Sequence, residues 1–296
     1  MTTLALHPSP ALLRLSDAAL LLVALVWGTS YGVAKGALLF YPVIGFIAIR
    51  FGLTFVLLLP SLLRASSRQR RHALRNGLPL GLLLLGIFLA ETYGVAQTQA
   101  SNAAFLISLC VVFTPFAEWW LLRRRPNQQA FVFVGISLLG TLLLSGGVNL
   151  QFGLGDGLML VAAVLRALIM VMTSRYARER PTPALALTAV QAAVVSIGCL
   201  AIAALTPAEL PALPSAPSFW LSTLYLVLGC TIFAFYAQNW ALRYSSPTRV
   251  ALLTGAEPAF GALFAIFWLG EHLSPTAWLG GALIVAAALW ASSRRH

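Results

Sequence analysis

Five ionisable side chains interrupt the long apolar runs of this sequence: Arg50, Glu91, Glu118, Arg166 and Glu257. At bilayer depth such a side chain costs about 2.5 to 3.5 kcal/mol on insertion scales, so it usually faces a cavity or a partner. Arg166 and Glu257 each lie about 12 residues into their apolar runs and Glu91 about 14, which predicts positions near the middle of a bilayer. Arg50 is intermediate in depth. Glu118 lies close to three arginines, so we interpret it as part of an ion pair at a helix end.

The three central charges favour recognition of a zwitterion. The planar guanidinium of Arg166 suits a substrate carboxylate, while Glu91 or Glu257 could face an ammonium group. The alternative is a salt bridge between Arg166 and Glu257 that only ties the chain together, because a buried pair satisfies both charges without a ligand. The sequence leaves both interpretations open.

Aromatic side chains accompany these charges. Trp27 and Tyr31 are four residues apart and share one face of a helix, while Tyr93 and Trp240 fall at equivalent positions of an internal repeat, with Asn239 beside Trp240. Such rings could line a cavity and hold an apolar side chain or, through their π faces, an organic cation. They could equally form the aromatic belt that is common at membrane interfaces.

The composition places these residues in a membrane protein. Hydrophobic residues make up 59% of the 296 residues and charged residues 9%, whereas about a quarter of a soluble domain is charged. A run of about 20 apolar residues crosses a bilayer as a helix. We therefore predict an all-α integral membrane protein with ten transmembrane helices, at residues 17–35, 42–63, 77–97, 101–122, 128–147, 155–174, 183–206, 218–241, 247–269 and 275–292.

The basic residues predict the orientation. With both termini cytoplasmic, nearly all of the 19 Lys and Arg residues fall in cytoplasmic loops and ends, as the positive-inside rule requires. The exceptions are Lys35, Arg50 and Arg166. The net charge of +11 is thus an orientation signal, and we expect no nucleic-acid partner. The first apolar run is too long for a cleavable signal peptide.

The sequence contains an internal repeat. A shift of 147 positions aligns Phe88 with Phe235 and Phe113 with Phe260. In the second span the offset is smaller, 141 positions, and there Gln191 corresponds to Arg50. Each half contains five spans, an odd number, so the second half must cross the membrane in the opposite sense. We predict two inverted five-helix repeats that rock around a central site, with this division of the chain: an N-terminal tail 1–14, repeats 15–148 and 149–292, and a C-terminal tail 293–296.

Five local motifs stand out: residues 27–35 (Trp-Gly-Thr-Ser-Tyr-Gly-Val-Ala-Lys), Arg50-Phe51, the turn at 94–106, Glu257-Pro258 and Gly270-Glu271. Together they resemble the motifs of the EamA-type drug/metabolite transporter superfamily. One departure is Arg124-Arg125, which stands where the family often has Gly-Glu. The resemblance implies the ten-helix fold and export of amino acids, other small metabolites or drugs, with YddG-type amino-acid exporters as the leading comparison.

We therefore expect a secondary transporter that exports small metabolites, first of all aromatic or neutral amino acids, by alternating access. The alternative is a multidrug exporter of lipophilic cations, for which Arg166 would be an obstacle; a channel is a further alternative. Without a GxxxxGK[ST] motif, ATP hydrolysis is unsupported. Protons, carried by Glu91 or Glu257, are a candidate coupling ion. We expect the inner membrane of a prokaryote, lipid and a small-molecule substrate as partners, and a monomer or homodimer.

An enzyme is the less favoured class. Gly153-Leu-Gly-Asp156 matches the GxGD pattern of intramembrane aspartyl proteases, but the only other aspartate, Asp17, should lie about 30 Å away across the membrane. Both aspartates are interpreted as helix N-caps. The single cysteines and the histidines in loops and ends give no metal motif, so we expect no metal and no cofactor.

Glycines and prolines predict how the helices pack and move. Gly28 and Gly32 recur at a spacing of four, which is typical of a close-packing helix face. Pro115 and Pro258 lie inside predicted spans, where each leaves a carbonyl group unpaired. Packing and hinging are both compatible with this pattern.

Overall fold

The apolar runs of the sequence fold as helices. The structure, a computed structural model, describes residues 10–98, 100–146, 153–180, 182–206, 210–269 and 274–293, and within these ranges it contains no strand. The α-helices are α1 (Pro10–Leu38), α2 (Val43–Leu63), α3 (Ser67–Gln97), α4 (Ala100–Ser108), α5 (Cys110–Leu122), α6 (Gln128–Leu144), α7 (Leu154–Glu179), α8 (Ala184–Leu205), α9 (Pro217–Tyr225), α10 (Ala234–Ala241), α11 (Pro247–Thr254), α12 (Glu257–Leu269) and α13 (Pro275–Ser293). A π-helical stretch, Leu226–Phe233, joins α9 to α10.

The helices confirm the predicted all-α membrane fold. Within the described ranges, eight helical segments are long and apolar enough to cross a membrane, with mean hydropathy between 1.4 and 2.2. The helix α6 is apolar but shorter, and the predicted ninth span is divided between α11 and α12. The main difference is that α3 begins at Ser67 rather than at residue 77. Its first turns are polar, so apolar patterning misses them, and a capping box between Ser66 and Gln69 starts the helix.

The helix contacts between the two halves are symmetric: each helix of one half and its counterpart in the other half pack against equivalent partners. The second helix of each half, α2 and α8, pack together, and so do the fifth helices, α6 and α13. The first helix of each half packs on the third of the other, α1 on α10 and α7 on α3. The protein therefore has the two-repeat arrangement that the sequence predicts.

The fourth span of each half is interrupted at an equivalent residue. In the first half α4 ends before Leu109, and in the second half α11 and α12 are separated by Gly255 and Ala256. The repeat shift of 147 positions aligns Leu109 with Ala256. Pro258 explains the second break, because it cannot donate a backbone hydrogen bond to the preceding turn. Pro115 lies within α5, beyond the first break.

Candidate functional site

Four charged side chains meet at one cavity of about 680 Å³, open mouth included. Each half of the chain contributes one arginine and one glutamate to its wall. Arg50 comes from α2 and Glu91 from α3, while Arg166 comes from α7 and Glu257 from the first turn of α12. The three central charges, Glu91, Arg166 and Glu257, thus line one cavity, and Arg50, which is not among the site residues expected from the sequence, lines it as well.

Arg166 and Glu257 form an ion pair. Arg166 Nη1 lies 3.5 Å from Glu257 Oε2, and the two side chains are 13% and 8% exposed. This distance exceeds the roughly 2.7 to 2.9 Å of a tight charge-assisted hydrogen bond. The Arg166 guanidinium also lies over the ring of Trp27, 4.8 Å from its centroid. Arg166 and Glu257 are thus paired, as one of the two interpretations of the sequence expects. The other nitrogens of Arg166 make no hydrogen bond among the described residues.

Trp27 is fixed in the wall from two sides. Its Nε1 donates a hydrogen bond to the carbonyl oxygen of Cys230 at 2.9 Å, and its ring contacts Phe235 edge-on at 6.2 Å. Cys230 lies in the π-helical stretch, and such stretches often occur at functional sites. The apolar sequence of this segment carried no signal of the π-helix.

Arg50 is buried without an acidic partner in the described part of the chain. It is 7% exposed, and its Nε donates to Thr231 Oγ1 at 3.0 Å. Its guanidinium lies over the rings of Phe88 and Phe51 at 5.0 and 5.6 Å. The signal that could have included it is the repeat, because its counterpart Gln191 also lines the cavity.

Glu91 and Asn239 complete the polar part of the wall. No described residue donates a hydrogen bond to Glu91 or forms an ion pair with it. Asn239 is 6% exposed, and its Nδ2 donates to Thr188 Oγ1 at 3.1 Å and to Gln191 Oε1 at 3.4 Å. Asn239 is therefore held in place by α8, whereas Glu91 remains available to a ligand.

Two of the predicted aromatic residues lie away from this wall, whereas Tyr31 lies beside its charged side chains. Tyr93 lines a separate groove between α3 and α7, and Trp240 packs on Tyr244 with ring centroids 5.9 Å apart. The hydroxyl of Tyr31 is buried and makes no hydrogen bond among the described residues, although Glu257 and Glu91 are its charged neighbours. The geometry thus places Trp27, but not Tyr93 or Trp240, against the cavity.

Gly28 and Gly32, which the sequence predicts on one packing face, differ in how closely another helix approaches them. A Cβ atom at Gly28 would lie 2.6 Å from the backbone nitrogen of Gly261, so α1 and α12 are in close backbone contact there. At Gly32, among the described residues, no atom outside the helix's own backbone lies within 4 Å of the corresponding position. The close contact is therefore local to one position rather than continuous along the helix face. The motif pair Gly270-Glu271 lies outside the described residues.

Two interpretations of buried acids are wrong. Glu118 does not pair with the nearby arginines: its Oε2 accepts hydrogen bonds from the backbone nitrogen and hydroxyl of Thr248, at 3.1 and 2.6 Å, at the start of α11. Asp17 is not an N-cap, because α1 begins seven residues earlier than the aspartate, at Pro10. Instead Asp17 Oδ2 lies 2.6 Å from Arg249 Nη2.

Asp156 does act at a helix start, as the third residue of α7 rather than as its cap. Its Oδ2 accepts the backbone N–H of Gly153 at 2.9 Å, and its Oδ1 accepts the hydroxyl of Thr98 at 2.5 Å. Both carboxylate oxygens thus have structural partners, and the sequence match to the protease pattern at 153–156 is explained by helix capping.

Comparisons with known proteins agree with this architecture. The model of the EamA-like transporter family matches residues 14–146 and again residues 153–293. An uncharacterized transporter of Archaeoglobus fulgidus is 28% identical over 279 residues, which cover 94% of this chain and 86% of that protein. The uncharacterized inner membrane transporter YedA of Escherichia coli K12 is 29% identical over 273 residues, 91% of this chain and 88% of YedA.

A solved crystal structure shares the fold. It superposes with a TM-score of 0.72 over 95% of this chain and 96% of its own, at 19% identity. The family match covers both halves of the chain, with one copy per half. The chain is a multi-pass membrane transporter and belongs to the EamA-like transporter family.

Proposed function

We propose that the protein exports aromatic or neutral amino acids from the cytoplasm through the cavity between its two repeats. The observation that carries this proposal is the charge balance of the wall, two guanidinium groups and two carboxylates around an aromatic surface. An amino acid with an apolar side chain presents both charges and an apolar group, so it complements each part of this wall. The predicted residues that line the wall, and so would contact the substrate, are Trp27, Glu91, Arg166, Asn239 and Glu257.

Export of lipophilic cations is the second candidate. Its support is the aromatic surface of Trp27, Phe88 and Phe235 beside the unpaired carboxylate of Glu91, because aromatic faces attract organic cations. Against it, a cation would enter beside two buried guanidinium groups, at least one of which has no acidic partner among the described residues. Repulsion in a poorly solvated cavity disfavours that complex.

We further propose that the repeats, 15–148 and 149–292, are inverted and that alternating access moves them around the cavity. Their exchange-symmetric packing and the equivalent breaks at Leu109 and Ala256 support a site built from discontinuous helices at a repeat interface. Both termini would be cytoplasmic. We propose the inner membrane of a prokaryote, by analogy with YedA, with protons carried by Glu91 or Glu257 as the candidate coupling ion.

A substrate panel in proteoliposomes tests the proposal. Purified protein is reconstituted, and uptake of labelled amino acids, a lipophilic cation and a nucleobase is compared with that of protein-free vesicles. We expect saturable flux of aromatic or neutral amino acids that unlabelled amino acid inhibits. Saturable flux of the cation alone would favour the second candidate and contradict the first.

A further inference from the structure

Arg50 and Glu91 are the charged side chains of the cavity that have no ionic partner among the described residues. Arg50 is only 7% exposed. Of its three guanidinium nitrogens, only Nε makes a hydrogen bond to a described residue. Glu91 lines the same cavity and accepts none. Arg166 and Glu257, by contrast, already meet at 3.5 Å. Two opposite charges, both from the first half of the chain, are thus left for a ligand.

The Arg50 guanidinium is held in one orientation. Thr231 Oγ1 accepts its Nε–H at 3.0 Å and itself donates to the carbonyl oxygen of Leu226 at 2.9 Å, inside the π-helical stretch. The rings of Phe88 and Phe51 pack on the guanidinium. Because Nε already donates to Thr231, the two terminal nitrogens remain as donors for a ligand. Arg50 lines the cavity, and neither of these nitrogens is fully buried. A fixed fork of donors binds a carboxylate through two parallel hydrogen bonds.

Glu91 provides the opposite charge across the same space. Its charge interacts with those of both Arg50 and Arg166, but it is not within the 4.0 Å of an ion pair with either arginine. The ion pairs among the described residues are Arg166–Glu257, Arg175–Glu179 and Arg249–Asp17. Separate unpaired charges are costly in a poorly solvated site. A single ligand with a positive and a negative group would satisfy both.

We propose that Arg50 binds the carboxylate and Glu91 the ammonium group of the transported amino acid, an assignment that rests on the proposed amino-acid export. The Arg166–Glu257 pair is then a fixed part of the wall. This assignment differs from one of the two interpretations of the sequence, in which Arg166 binds the substrate carboxylate. The reason is that Arg166 already has an acidic partner, whereas Arg50 has none in the described part of the chain.

The test compares an amino acid with two analogues that each lack one charged group. For phenylalanine these are 3-phenylpropionate, without the amine, and phenethylamine, without the carboxylate. Dissociation constants come from competition against the labelled amino acid that the wild type transports best. The variants are Arg50→Gln and Glu91→Gln, which remove one charge and keep a polar side chain. Arg175→Gln is the control, since this exposed arginine of α7 pairs with Glu179 outside the cavity.

Each variant has a distinct expected result. In Arg50→Gln, the preference for phenylalanine over phenethylamine falls by about tenfold or more, while its preference over 3-phenylpropionate is unchanged; one charge-assisted hydrogen bond gives a factor of this order. In Glu91→Gln, the preference for phenylalanine over 3-phenylpropionate falls, while the preference for phenylalanine over phenethylamine is unchanged. Arg175→Gln changes neither. If Arg50→Gln fails to fold, Thr231→Val removes the oxygen that orients Arg50 and should give a smaller loss of the same kind.

Two results would overturn parts of this account separately. If Arg166→Gln, and not Arg50→Gln or Thr231→Val, loses the preference for carboxylate-bearing ligands, then the assignment to Arg50 is wrong and amino-acid export stands. If the wild-type protein binds no amino acid but binds phenethylamine or another organic cation, the proposed function itself fails.

Discussion

Arg166 and Glu257 approach each other to 3.5 Å at the cavity wall, beneath the ring of Trp27. They come from the first and fourth helices of the second half, so their contact joins α7 to α12 across the site. A buried pair of this kind is costly to break from one side, because the remaining charge loses its partner. The pair therefore holds α7 and α12 together at the cavity wall and also sets part of the charge of that wall.

Removing one member of this pair should abolish transport. In Arg166→Ala, Glu257 is left uncompensated, and a loss of about 3 to 5 kcal/mol is expected for breaking a buried pair from one side. The double variant Arg166→Gln/Glu257→Gln should recover most of the stability, but not the flux, since the charged wall is gone. Thermal unfolding in detergent and flux in proteoliposomes measure the two effects. Wild-type flux in Arg166→Ala would show that the pair has no role in transport.

The indole nitrogen of Trp27 offers a milder test of the wall. Trp27→Phe keeps an aromatic ring beside Arg166 but removes the hydrogen bond to the Cys230 carbonyl. A hydrogen bond of this type contributes about 1 kcal/mol. We expect a higher KM with a smaller change in kcat, because the ring is less firmly oriented. Trp27→Ala should affect both. An unchanged KM in Trp27→Phe would mean that the hydrogen bond to the π-helical stretch does not order the site.

Gly28 and Gly32 form a matched pair for testing helix packing. Gly28→Ala places a Cβ atom 2.6 Å from the Gly261 backbone nitrogen, so α1 and α12 must separate, at about 1 to 3 kcal/mol. Gly32→Ala meets no described atom of another helix within 4 Å and should be neutral or slightly stabilising, because alanine favours helix. Thermal unfolding of the two variants gives the comparison. Equal stability would contradict the close contact.

Asp17 should stabilise the chain where it pairs with Arg249. Arg249 also donates to the carbonyl oxygen of Ser292 at 2.7 Å, so α1, α11 and α13 meet there. Asp17→Asn should destabilise the protein by about 3 kcal/mol, since the arginine is largely buried. Glu179→Gln breaks an exposed pair on α7 and should destabilise the protein much less, because solvent screens both charges. Equal melting temperatures for the two variants would refute this role of Asp17.

The sequence predicted the parts of this fold that depend on composition and periodicity. The apolar runs, and the rarity of charged residues such as Glu91, Arg166 and Glu257 within them, follow from the cost of placing polar groups in hydrocarbon. The spans agree because this cost acts on each residue of a run, whatever its neighbours in space are.

The rest depends on contacts between distant residues. Arg50 could not be placed in the site from its depth alone, since its burial depends on Thr231 and Phe88 from other helices. The π-helical stretch around Cys230 depends on the same packing. The partner of Glu118 is Thr248, 130 positions away, whereas the sequence shows only the nearby arginines.

The most direct test of the central claim, carrier transport of amino acids through this cavity, is counterflow in proteoliposomes. Vesicles are loaded with an unlabelled aromatic or neutral amino acid, and the entry of the same labelled amino acid is followed. We expect the internal amino acid to accelerate entry and to produce a transient accumulation of label, which Glu91→Gln should strongly reduce. Labelled entry that is indifferent to the internal amino acid would indicate an open pore, and the absence of amino-acid entry would contradict the claim outright.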